Sequence, residues 1–76
     1  MNILIIEDEA AAAQRMRKLL LAIDPTMVVV AELPTVVDSV QWFKDQGRAD
    51  LVFMDVQLAD GDSFEIFKQV DVPSPV

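Results

Sequence analysis

Three acids stand where apolar runs end: Glu7-Asp8 follows the run 2–6, and Asp55 follows Leu51-Val52-Phe53-Met54. Carboxylates offer hard oxygen donors and a nucleophilic oxygen. Pushed together, they repel one another and raise one another's pKa unless a cation sits among them. A few oxygens around a divalent cation, with waters and a phosphate filling its shell, is how Mg²⁺ is usually bound. The sequence contains no histidine and no cysteine. Imidazole acid–base chemistry, thiolates and Cys/His metal sites are therefore excluded from this chain, and acids must carry any chemistry present.

Each acid also has a plainer role. A single acid at a strand end is ordinarily a solvated loop residue or a helix cap, and Glu7, Asp8 and Glu9 would favour the positive end of a following helix dipole. Asp60 and Asp62 read as turn and cap residues around Gly61, which tolerates positive φ. Asp55 fits the plain role poorly, because it ends an apolar run and precedes Val56. The combination of acids carries the functional case.

The elements that must position these acids alternate. The continuous apolar run 2–6 suits a strand covered on both faces. Over 10–23, Ala12, Met16, Leu19, Leu20 and Ile23 recur at helical spacing, and Asp24-Pro25 stops the helix. The valine-rich stretch 27–33 reads as a second buried strand, broken by Pro34-Thr35. Thr35 and Asp38 resemble a capping box, followed by an apolar stripe of Val36, Val37, Val40 and Phe43, with Gly47 just past the helix end. Trp42 lies off that stripe. Residues 51–54 form a third strand. After a loop, Asp62 or Ser63 is expected to cap a helix whose Phe64, Phe67 and Val70 share one face, ended by Pro73 and Pro75.

Strand, helix, strand, helix, strand, helix argues a parallel sheet with right-handed crossovers. Three such strands leave an apolar edge open, and Val76 reads as the start of a fourth. The sheet is expected to be completed by a missing C-terminal half or by a second copy in a homodimer.

Composition limits the rest. The 76 residues are 53% hydrophobic, with 13 acids against 6 bases and a net charge of −7. That sign argues against DNA or anionic membrane binding by this segment. No apolar stretch approaches the roughly 20 residues that span a bilayer, and the start lacks the basic flank of a secretory signal. The plain reading is cytoplasmic. A chain this short buries only about 60% of its unfolded surface, so stability is marginal.

The acidic pair after strand one, Phe53-Met54-Asp55 ending strand three and the following Asp60-Gly61 turn resemble a response-regulator receiver domain of bacterial two-component signalling. The resemblance covers the whole chain but only the first three of five strand–helix units. Residues 1–76 are thus read as the N-terminal part of a receiver, and the segment 55–65 is more similar to receivers of the Lyt/Alg type. The implied fold is α/β, flavodoxin-like and three-layered, with strand order 2-1-3-4-5. The implied chemistry makes Asp55 the nucleophile that accepts a phosphoryl group from a sensor histidine kinase. The Mg²⁺ ligands are then Asp8, Asp55, the backbone carbonyl of Gln57 and Glu7, the last directly or through water. The implied output is a DNA-binding domain outside this chain, and the resemblance implies a phospho-acceptor and not an enzyme.

The sequence departs from the family in places. Ala59 stands where many receivers have proline, and the Asp-Gly follows Asp55 at a shorter spacing. Receivers also use a hydroxyl ending strand four and a lysine ending strand five; Lys18, Lys44 and Lys68 fall in or near helices and do not match that lysine. The alternative is a receiver-like interaction module that works without phosphorylation. A haloacid-dehalogenase-type phosphohydrolase would want a second Asp two residues after its nucleophile, where this chain has Gln57.

Overall fold

The computed structural model describes residues 1–46 and 49–70. Gly47, Pro73, Pro75 and Val76, to which the sequence assigns a helix end and the start of a fourth strand, lie outside them. The elements run β1 (Asn2–Ile6), α1 (Ala10–Ile23), β2 (Val28–Leu33), α2 (Val36–Gln46), β3 (Leu51–Met54), β4 (Gln57–Leu58), β5 (Gly61–Asp62) and α3 (Glu65–Gln69). The main sheet has the order β2-β1-β3, with both pairings parallel. This is how a flavodoxin-like 2-1-3-4-5 sheet begins.

The central place of β1 explains its unbroken hydrophobicity. Successive side chains point to opposite faces, and both faces are covered. Ile3 and Ile5 pack with Ala13 and Leu20 of α1, joined by Leu51 and Phe53. Leu4 and Ile6 pack with Val36, Val40 and Phe43 of α2, Val52 of β3 and Ile66 of α3. The result is three layers, α1 on one side and α2 with α3 on the other.

The second strand is an edge strand, and it is not buried as its valines suggest. Its burial alternates, leaving Val28, Val30 and Glu32 exposed. A bulge explains which side chains go where. Ile3 pairs with Val29 but Leu4 pairs with Ala31, so Val30 is the extra residue. Past it the strand changes face: Val29 packs on the α1 side, Ala31 and Leu33 on the α2 side. Glu32 is thereby aligned with Ile5, on the α1 side, where Arg17 meets it at 3.5 Å.

Both helix stripes are narrower than their periodicity. In α1 only Ala13 and Leu20, two turns apart, are buried. Leu19 and Ile23 are exposed, at 62% and 77%, because their stripe is rotated off β1 and runs past the sheet. The helix ends as expected: the Asp24 N–H donates to the Leu20 carbonyl, and the Asp24 carboxylate accepts from the Thr26 N–H and hydroxyl. Those two bonds hold the Asp24 carboxyl below its ordinary value. In α2 the Asp38 N–H donates to Thr35 Oγ1, the forward half of the capping box. Val36, Ser39, Val40 and Phe43 are buried, whereas Val37, expected in the stripe, is exposed. It sits one residue, about 100° of turn, beyond Val36.

The segment after β3 holds a miniature antiparallel hairpin, β4 with β5, where the sequence suggested only a loop. Gly61 sits in it at φ +144°, a conformation that side chains rarely adopt. The third helix differs most from expectation. Neither Ser63 nor Asp62 is its N-cap; that position is Phe64. Asp62 Oδ1 accepts the Phe64 N–H at 2.8 Å, and the Ser63 hydroxyl is buried with no hydrogen-bond partner among the described residues. Phe64 and Phe67 do share a face, stacked with centroids 6.3 Å apart, but it is an exposed one. Ile66 fills the core in their place.

Because Ile66 is 0% exposed and Phe67 42%, their truncations should separate. Ile66→Ala is expected to cost about 2–5 kcal/mol in urea unfolding followed by circular dichroism, enough to unfold much of so short a chain. Phe67→Ala should fall within about 0.5 kcal/mol of wild type.

Candidate metal centre

Parallel register puts the acids together. Ile6 pairs with Met54 at the carboxyl ends of β1 and β3, so the next residues on each strand, Glu7 and Asp55, are neighbours. The backbone continues the pairing past the strands: the Asp55 N–H donates to the Ile6 carbonyl and the Glu7 N–H to the Leu33 carbonyl, both at 2.9 Å. Glu7 is thus held between the ends of β2 and β3. Asp8, next along, turns into the start of α1.

Glu7, Asp8 and Asp55 each place a carboxylate oxygen so that all three lie within 4.8 Å of one another. Asp8 and Asp55 are exposed and Glu7 half-buried. The Glu7 carboxyl is pushed above its ordinary value, first by burial and then by the charges of Asp55 and Asp8. Its acceptance of the Glu9 N–H at 3.1 Å works in the opposite direction but does not win. The fold therefore holds a charge conflict at the end of its central strand. An all-oxygen donor set, converging from three residues and open to solvent on its Asp8 and Asp55 sides, fits a hard divalent cation that keeps part of its water shell.

The fourth residue named from the sequence, Gln57, opens β4. The Ser63 N–H donates to the Val56 carbonyl, and Gln57 lies opposite Asp62. Opposed residues in an antiparallel pair alternate between bonded and non-bonded positions, so Gln57 and Asp62 form a non-bonded pair. The Gln57 carbonyl is left out of the hairpin's own ladder and is two residues from Asp55. Glu9, the third acid of the run, is the N-cap residue of α1 in extended conformation and makes no side-chain cap bond.

Asp60 does something the sequence did not suggest. It was read as a turn or cap residue beside Gly61, yet it caps the start of α2, more than twenty residues before it. Its Oδ1 accepts the Val36 N–H at 2.7 Å and its Oδ2 the Val37 N–H at 3.1 Å. These bonds hold its carboxyl below its ordinary value. The Asp60-Gly61 dipeptide is a hairpin signal, but no local signal links it to Val36.

Two clefts border the acids. One, of about 280 Å³, runs between α1 and β3 and is lined by Ala12, Met16, Phe53 and Met54 with Glu7 and Asp55 at its end. The other, of about 390 Å³, lies toward β2, with Asp8, Gln14, Arg17 and Glu32 on its walls. Lys18, Lys44 and Lys68 lie on α1, α2 and α3. Among the described residues no helix is long and apolar enough to cross a membrane.

A family model described as the response regulator receiver domain matches residues 3–75. Nothing matches the chain among the curated proteins or the solved structures.

The charge conflict has a testable sign. A carboxyl raised in the folded state costs no stability where it is protonated. The cost appears as pH rises from the ordinary value of 4.5 through the raised one. A divalent cation should offset that cost. At tenfold excess over its Kd, Mg²⁺ is expected to add about 1.4 kcal/mol, a rise of several degrees in thermal midpoint for a domain of this size. The rise should be larger at neutral pH than at mildly acidic pH, and lost in Asp8→Asn. A rise of equal size in that variant would remove Asp8 from the site.

Proposed function

As the chain belongs to the response regulator receiver family, we propose that it is a phospho-accepting domain whose acceptor is Asp55. The observation that carries this reading is the convergence of Glu7, Asp8 and Asp55 within 4.8 Å at the carboxyl ends of β1 and β3. Asp55 is exposed at that point and its backbone is held by the Ile6 carbonyl, so its carboxylate is presented on a rigid strand end.

The donor is a phosphohistidine on a sensor kinase. A carboxylate oxygen of Asp55 attacks phosphorus, the phosphorus–nitrogen bond breaks, the imidazole leaves with the electron pair, and an acyl phosphate remains on Asp55. Asp8, Asp55, the Gln57 carbonyl and Glu7 would hold Mg²⁺, with Glu7 acting directly or through water. Bound there, Mg²⁺ supplies neutralisation of charge on the transferring phosphoryl oxygens. The chain's own contribution is placement: the register aligns Asp55 beside Glu7, and burial of Ile6 and Val52 beneath them keeps the strand ends fixed.

The domain acts as a switch and not as a turnover enzyme. Its output is a transcriptional, DNA-binding domain of the kind that follows receivers of the Lyt/Alg type, in a bacterial cytoplasm. The outer edge of β3 is the surface on which later strands of the same protein, or a second copy, would complete the sheet.

Intact mass after incubation with acetyl phosphate and Mg²⁺ tests the reading. The wild type should gain one phosphoryl group and Asp55→Asn none, while Asp8→Asn should take it up more slowly, by about tenfold or more. Uptake retained in Asp55→Asn would overturn the choice of acceptor.

A further inference from the structure

The hairpin that follows Asp55 is too small to hold its own shape. Each strand has two residues, and an isolated two-stranded hairpin is marginal in water even at greater length. Something outside it must fix its orientation. Leu58 is buried among Leu4, Ile6, Val36 and Phe43, but apolar contact is non-directional. At the base, the Ser63 N–H donates to the Val56 carbonyl. At the tip, Asp60 grips the first two N–H groups of α2 with both carboxylate oxygens.

Those two donors are open to Asp60 because Thr35 is used elsewhere. Its Oγ1 serves the Asp38 N–H, leaving Val36 and Val37 among the unsatisfied amides of a helix start. Charge-assisted bonds to backbone amides are roughly twice as strong as neutral ones, and two of them define an orientation. They also close a circuit. From Asp55 the chain runs through the hairpin to Asp60, across to Val36, back through Pro34 to Leu33, whose carbonyl takes the Glu7 N–H. Glu7 lies beside Asp55 in the β1–β3 register.

Resting on the reading of the acidic site as a Mg²⁺ centre, we propose that Asp60 is a positioning residue for it. By clamping the hairpin tip to α2, Asp60 holds the Gln57 carbonyl, three residues earlier, in place as a metal ligand. The same clamp makes the start of α2 move with the metal site.

Calorimetric titration of the full chain with Mg²⁺ tests this, each variant being kept below its own unfolding transition as judged by circular dichroism. Asp60→Ala should weaken Mg²⁺ binding by about 10–100-fold, the usual effect of losing a group that orients a ligand. Asp60→Asn, which keeps one acceptor oxygen, should fall between it and wild type, and carries the test if the alanine variant does not fold. Thr35→Ala loosens the same helix end without touching the hairpin, and Asp38→Asn removes a nearby charge; both should bind as wild type does. Wild-type affinity in both Asp60 variants, or equal weakening by Thr35→Ala or Asp38→Asn, would overturn the positioning role. If Asp8→Asn also binds as tightly as wild type, the metal reading itself has failed.

Discussion

The uninterrupted parallel register of β1 on β3 is the constraint on which the rest depends. Ile3, Leu4, Ile5 and Ile6 face Leu51, Val52, Phe53 and Met54 one for one. A slip of one residue would turn Val52 and Met54 to the α1 face and Leu51 and Phe53 to the α2 face, and would separate Asp55 from Glu7. Register is well specified here because both faces of the pair are packed, by α1 on one side and by α2 with α3 on the other. The precision of the acidic cluster is thus inherited from the core. Side chains that never touch the site decide where its carboxylates stand.

The cluster works against the fold that creates it. Three carboxylates meet at the ends of β1 and β3, and the half-buried one, Glu7, is held above its ordinary pKa because burial and its neighbours both oppose its charge. A chain of 76 residues has little stability to spare. Local rules broken in a marginal fold are expected at functional sites, and this conflict is the clearest such break among the described residues. A partner of opposite charge, as proposed for this site, would relieve the conflict that folding alone creates.

Connections beyond the sheet are made by backbone amides at loop ends. The Leu33 carbonyl, the Ile6 carbonyl and the Asp60 carboxylate each receive N–H groups from another segment. Together they tie the loops after β1, β2 and β3 at the same end of the molecule. This is where an open α/β sheet binds its ligands, and rigid loops there turn a cluster of acids into a defined site.

Much of this was legible in the residues themselves. The alternation of apolar runs with helical periods identified the three strands and three helices, because burial on two faces demands a continuous apolar run and burial on one demands a stripe. The strand-end acids Glu7, Asp8 and Asp55 stood out for the same reason: an apolar run that stops in a carboxylate marks the edge of a core. What the residues alone did not disclose were features made by contact between distant segments. The bulge at Val30 follows from how β2 must lie on β1. The exposure of Leu19, Ile23 and Val37 follows from where each helix stripe meets a sheet of limited width. The choice of Ile66 over Phe64 and Phe67 for the core follows from how a short helix docks. Asp60 could be recognised as a cap residue, but a carboxylate caps whichever helix start lies within hydrogen-bond reach. Only the tertiary structure brought Val36 and Val37 to it, because distance in space, and not separation along the chain, sets the strength of a hydrogen bond.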